Sequence, residues 1–86
     1  MNHAHSQISA DYEKALGCAI RLLAVDACRE DAHRMAMRAY VRLGARAQAM
    51  RQYNLCRKIL VAEFDTTPEP ATEQLFQLVR TDPDLI

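Results

Sequence analysis

The chain has 86 residues and a mass of 9.8 kDa, enough for one domain with one small core and not for the two-lobed clefts of most cofactor enzymes. Half of its residues are hydrophobic and 26% are charged, with two glycines and three prolines, which excludes disordered, collagen-like and turn-rich all-β chains. The formal charge is zero, but residues 33–62 carry Arg34, Arg38, Arg42, Arg46, Arg51, Arg57 and Lys58 and no acid, so a basic centre lies between two acidic ends.

Met1 to Ile8 shows no hydrophobic periodicity and reads as a flexible arm or an expression remnant, leaving residues 9–86 as one helical domain. Ser9 or Asp11 caps a first helix that runs to about Val25, with Tyr12, Ala15, Leu16, Ala19, Leu22 and Leu23 on one face. Asp26 to Arg29 is a short connection. A second helix runs from about Glu30 to Leu43, its stripe formed by Ala32, Met35, Ala36, Ala39, Tyr40 and Leu43. Glu30 and Asp31 at its start and Arg42 near its end suit the helix dipole, and Gly44 stands where a left-handed cap is expected. A third helix runs from Arg46 to about Phe64 with two apolar lines. One is Ala49, Tyr53, Cys56, Leu60 and Phe64; the other is Leu55, Ile59 and Ala62, and both are expected to be buried. Pro68 and Pro70 break the chain, after which a short fourth helix, about Pro70 to Arg80, presents Leu75, Phe76, Leu78 and Val79. Four helices, short turns and no strand candidate predict an all-α fold.

A shift of 34 residues lays Ala15 on Ala49, Leu16 on Met50, Ala19 on Tyr53, Leu22 on Cys56 and Val25 on Ile59, all on one helical face. That period is the tetratricopeptide repeat's, a helix–turn–helix unit of 34 residues. The second and third helices resemble one whole unit, and the first resembles the latter half of a preceding one. His33 occupies the usual tryptophan position, Met37 the usual glycine and Val61 the usual proline. The architecture expected is a tetratricopeptide-like antiparallel stack of about four helices.

A sharper resemblance covers about residues 11–80. It rests on Leu22-Leu23-Ala24-Val25-Asp26, on Arg29-Glu30-Asp31-Ala32-His33-Arg34 and on Met37-Arg38-Ala39-Tyr40. Gly44 with Arg46, Ala49, Gln52, Tyr53, Cys56, Arg57 and Leu60 continues it, and Glu63-Phe64 followed by Pro68-Glu69-Pro70-Ala71-Thr72 closes it. Together these residues resemble the bacterial transcriptional activator domain, found in activators of the antibiotic-regulatory-protein type. The resemblance implies a module that follows a winged-helix DNA-binding domain and supports DNA binding, dimerisation and contact with the transcription machinery. It also implies that the chain corresponds to the C-terminal half of that domain. Phe64-Asp65 stands where the family carries leucine–glycine, so a different turn into Pro68 is expected.

Arg34, Arg38 and Arg42 fall on one face of the second helix at intervals of four, and Arg46 and Arg51 extend that surface. The planar guanidinium fork suits phosphate or carboxylate, so these five are candidate partner- or phosphate-binding residues. No helix carries an evident base-reading set, and sequence-specific DNA reading by this chain is not expected. Leu16, Ile20 and Leu23, on a helix that lacks its own repeat partner, are candidate self-association residues and predict a homodimer. Cys18, Cys28 and Cys56 match neither a disulfide framework nor zinc-ligand spacing, and Cys56 reads as a small core residue. No nucleophile–base set or phosphate-cradling loop is visible, so no catalytic residue, metal or cofactor is expected. No apolar run reaches the ~20 residues of a membrane span, and no signal peptide is recognisable, so a cytoplasmic location is the expectation. The alternative function is a generic adaptor that takes a peptide in its helical groove.

Overall fold

The computed structural model describes residues 3–86, with side chains described from Ile8 onward. Its elements are α1 (His3–Val25), α2 (Glu30–Arg42), α3 (Arg46–Phe64) and α4 (Pro70–Thr81), followed by a 3₁₀ turn over Pro83–Leu85. The fold is all-α. Helix α1 begins at His3, ahead of the expected Ser9 or Asp11 cap, because neither glycine nor proline interrupts the approach to Ser9. Met1 and Asn2, the start of the expected arm, lie outside the described residues.

Helix α2 is the centre of the assembly, packing on α1, α3 and α4, whereas α1 finds its principal neighbour in α2. The seams are built from small residues. Ala19 of α1, Ala32, Ala36 and Ala39 of α2, and Ala49 and Cys56 of α3 are all buried. Without long side chains between them, helix axes can approach to the short end of the usual 8–10 Å range. The bulkier part of the core lies between α2, α3 and α4, where Met37, Ala49, Tyr53, Leu75 and Val79 cluster and Tyr40, Met50 and Phe76 close the margin. Met37 is fully buried and fills the space that glycine would leave open. The result is a slab 49 × 30 × 17 Å with a radius of gyration of 13.2 Å, more extended than the about 12 Å of a spherical chain this long.

The helix ends follow from local chemistry. Gly44 sits at φ 80°, and the N–H groups of Gly44 and Ala45 return to the carbonyls of Val41 and Tyr40 at 3.0 and 2.7 Å. This is a Schellman ending, and it bears out the expected glycine cap. In the α1–α2 connection, Asp26 accepts the Cys28 N–H at 3.0 Å. His33, in the tryptophan position, is buried, with Nε2 2.8 Å from the Ala27 carbonyl and Nδ1 2.8 Å from Gln52 Nε2. A donating Nε2 and an accepting Nδ1 satisfy both ring nitrogens, and the imidazole pins the α1–α2 connection to α3.

One expectation is corrected. The second apolar line of α3 is not buried: Leu55 is 48% exposed, Ala62 is exposed and Ile59 is only half-buried, while Phe64 from the first line is 65% exposed. The reason is that α2 and α4 both lie against the Tyr53–Cys56 side of α3, and no described element covers the other side. Asp65, where the family carries glycine, adopts φ 50° in the left-handed region. A residue with a Cβ is strained there by about 1 kcal/mol. Asp65→Gly should therefore raise Tm by about 4–8 °C in a circular-dichroism melt, whereas Gly44→Ala, at a second left-handed position, should lower it.

Candidate functional site

The two acids that open α2 and α4 meet through an arginine and a threonine. Glu30, in the first turn of α2, accepts the Thr72 hydroxyl at 2.8 Å and the backbone N–H of Glu69 at 3.0 Å. Glu69 is the N-cap residue of α4, and its own helix has Thr72 where a capping-box glutamate would reach back. Glu30 supplies that carboxylate from the neighbouring helix, and so sits near the positive ends of both α2 and α4. Arg34, one turn beyond Glu30, donates to Thr72 Oγ1 at 2.9 Å and to the Glu69 carboxylate. Its side chain is only 16% exposed, and the Thr72 hydroxyl between the two helices is fully buried.

A second seam joins α3 to α4. The Tyr53 ring stacks on Phe76 with centroids 3.8 Å apart and planes within 7°, and its hydroxyl donates to Glu73. Burial, reinforced by the adjacent Glu73 carboxylate, pushes the Tyr53 phenol up to about 12. At the far end of α4, Arg46 donates to the carbonyls of Val79, at 2.7 Å, and Arg80, capping a helix terminus whose last carbonyls lack intrahelical partners. Arg42 donates to the Ile86 carbonyl at 3.2 Å and lies over the Tyr12 ring, 5.3 Å from its centroid.

The five candidate arginines thus fall into two groups. Arg34, Arg42 and Arg46 hold parts of the chain together, although Arg42 and Arg46 keep guanidinium donors to spare. Arg38 and Arg51 are exposed and make no ion pair among the described residues. Arg38 stands between two grooves, one floored by Tyr12, Ala15 and Met35, the other by Leu75, Leu78 and Ile86. On α1, Ile20 is 54% exposed, flanked by half-buried Leu16 and Leu23.

Cys56 is fully buried, and desolvation pushes its thiol up to about 12, which fits a small core residue and not a nucleophile. Among the described residues no cluster of three or more histidine, cysteine or acidic side chains could hold a metal ion, and no helix is long and apolar enough to cross a membrane. In the amino-acid sequence Glu30 reads only as a helix-start acid and Thr72 only as part of the closing run, and nothing in either pattern joins them. The available signal was Glu30–Arg34 one turn apart on α2 and Glu69–Thr72 at the proline-marked start of α4, complementary groups on two adjacent helices. Asn54, on the outer face of α3, was also missed.

Two measurements check this division. Arg34→Ala removes charge-assisted bonds and leaves the Glu30 and Glu69 carboxylates unshielded, so it should cost about 2–3 kcal/mol in urea unfolding; Arg38→Ala should stay within about 0.5 kcal/mol. For Tyr53, the raised phenol means that the folded state keeps a proton which the unfolded chain loses near pH 10. The stability it contributes is complete below pH 10 and lost as pH rises towards about 12. Absorbance titration should show a late tyrosinate step that Tyr53→Phe abolishes.

The family model described as bacterial transcriptional activator domain matches residues 3–80. No curated protein and no solved structure matches the chain.

Proposed function

The chain belongs to the bacterial transcriptional activator domain family, and we propose that it is a non-enzymatic interaction and oligomerisation domain of a bacterial, cytoplasmic transcriptional regulator. In this reading it supports DNA binding or transcription activation through protein contacts, with a second copy, an adjacent DNA-binding domain or the transcription machinery as partner. The family match across nearly the whole chain carries the proposal. The distribution of side chains supports its form, because polar contacts such as Glu30–Thr72 and Arg46–Val79 join the helices while Arg38, Arg51 and Ile20 are exposed.

Self-association is assigned to the α1 face of Leu16, Ile20 and Leu23, since α1 is covered mainly from one side and solenoid helices bury their apolar faces against neighbours. Binding to a phosphate backbone or an acidic protein surface is assigned to Arg38 and Arg51 and to the spare donors of Arg42 and Arg46. Arg34 contributes by holding α4 in place. The alternative, a peptide adaptor, is favoured by the groove between α2 and α4 that Arg38, Gln74 and Leu78 line.

Ile20→Glu in the parent regulator should weaken self-association at least about tenfold in sedimentation equilibrium, because it places a charge in an apolar interface, with the helical signal unchanged. Retained association would remove the α1 face from the proposal. Arg38→Glu with Arg51→Glu should weaken binding to promoter DNA or polymerase. Its salt dependence on DNA should fall by roughly one unit for each phosphate that the reversed side chains no longer neutralise.

A further inference from the structure

The outer side of α3 carries a groove lined by Asn54, Arg57, Lys58, Val61 and Ala62, with a volume of about 570 Å³. These positions recur at intervals of three and four, so they form one stripe along the C-terminal half of the helix. Val61 is 48% exposed, Ala62 is exposed beside it, and Arg57 and Lys58 make no ion pair among the described residues. A phosphate backbone would satisfy the two cations but set Val61 and Ala62 against a polar strand. The mixture fits a protein segment in which carboxylates lie beside an apolar side chain.

Such a segment follows α4. In the turn over Pro83–Leu85, Leu85 is 70% exposed, and Asp82 and Asp84 are exposed and in no ion pair among the described residues. A single molecule cannot bring the two together. Arg46, in the first turn of α3, grips the Val79 and Arg80 carbonyls and so anchors the acidic turn at the opposite end of α3 from the groove. Lys58 lies about 18 Å further along that helix at 1.5 Å per residue.

We propose that the acidic turn of one molecule docks in the α3 groove of a second copy, with Leu85 against Val61 and Ala62 and the Asp82 and Asp84 carboxylates against Arg57 and Lys58. The contact is head-to-tail, uses a different surface from the α1 face, and does not depend on the transcriptional role. It also gives the segregated charge of a neutral chain a use: the basic centre of one copy receives the acidic end of the next. So short a segment buries far less than the roughly 1,200 Å² of a stable interface, so the association is weak and salt-sensitive.

The test uses the full chain carrying Ile20→Glu, which silences the α1 face and keeps the two surfaces separable. In sedimentation velocity its average mass should rise with concentration at about 25 mM salt and fall back at about 500 mM. Arg57→Glu with Lys58→Glu should abolish the rise, as should Asp82→Lys with Asp84→Lys, and an equimolar mixture of the two reversed proteins should restore it. Independently, a capped peptide of residues 82–86 at about 1 mM should shift the amide resonances of Asn54 to Ala62 in the unmodified chain. Association unaffected by both reversals, or a mixture that stays monomeric, would overturn the proposal. So would a groove that leaves the peptide unbound and responds instead to a short DNA duplex, which would assign it to phosphate.

Discussion

Helix α2 has thirteen residues and must serve three neighbours, and most of the packing follows from that demand. A short helix contacted by α1, α3 and α4 has little perimeter left for large side chains, so alanine occupies three of its buried positions. Met37 and His33 are the bulky exceptions: Met37 lies where α2, α3 and α4 converge, and His33 is bonded to the α1–α2 connection and to Gln52. Such a seam is intolerant of growth: adding methylenes to a close-packed core costs about 1–3 kcal/mol, because the neighbours must move. The long residues of α2 are displaced to its remaining free side, which is why Met35, Arg38 and Arg42 line grooves.

Apolar burial in a slab 17 Å thick is modest, and polar contacts at the helix ends supply directional constraint. Glu30 and Arg34 set the start of α4 against the start of α2, and Arg46 sets its end against the start of α3. A helix of twelve residues is marginal on its own, so α4 depends on being held at both termini and packed through Leu75 and Val79 between them. Much of what reads as a basic patch in the amino-acid sequence is therefore terminus chemistry, with arginine chosen because one guanidinium can reach a carboxylate and a hydroxyl together. The positive charge available to a partner is correspondingly concentrated on Arg38, on Arg51 and on the outer side of α3.

The helices were legible because their signals are local. Apolar spacing placed α2 and α3 to within a residue, Gly44 marked the end of α2, and Pro70 marked the start of α4. The stripe Ala49, Tyr53, Cys56 and Leu60 is buried as its period implied. The companion stripe Leu55, Ile59 and Ala62 has the same period and a different fate, since periodicity reports which side chains share a face and not whether a neighbour covers it. The Glu30–Thr72 contact was equally out of reach, because forty-two positions separate the two residues along the chain and only the packing of α4 against α2 joins them. Of the candidate arginines, helical spacing placed Arg34 and Arg38 on one side of α2. It could not show that Arg34 leans toward α4 while Arg38 points between two grooves.

Helix α1 is the longest element and rests chiefly on one neighbour, with Ala19 its one fully buried side chain among the described residues. The α2–α4 part encloses the main cluster and carries the Glu30–Arg34 and Arg46 contacts without help from α1. Detaching α1 exposes the alanine seam it shares with α2, whereas opening the remainder exposes Met37, Tyr53 and Val79 and breaks the Glu30–Thr72 and Arg46–Val79 contacts. Because α1 is held through that one principal seam, its position relative to the other three helices is set by the buried alanines of α2 and by the Ala27–His33 contact at the connection.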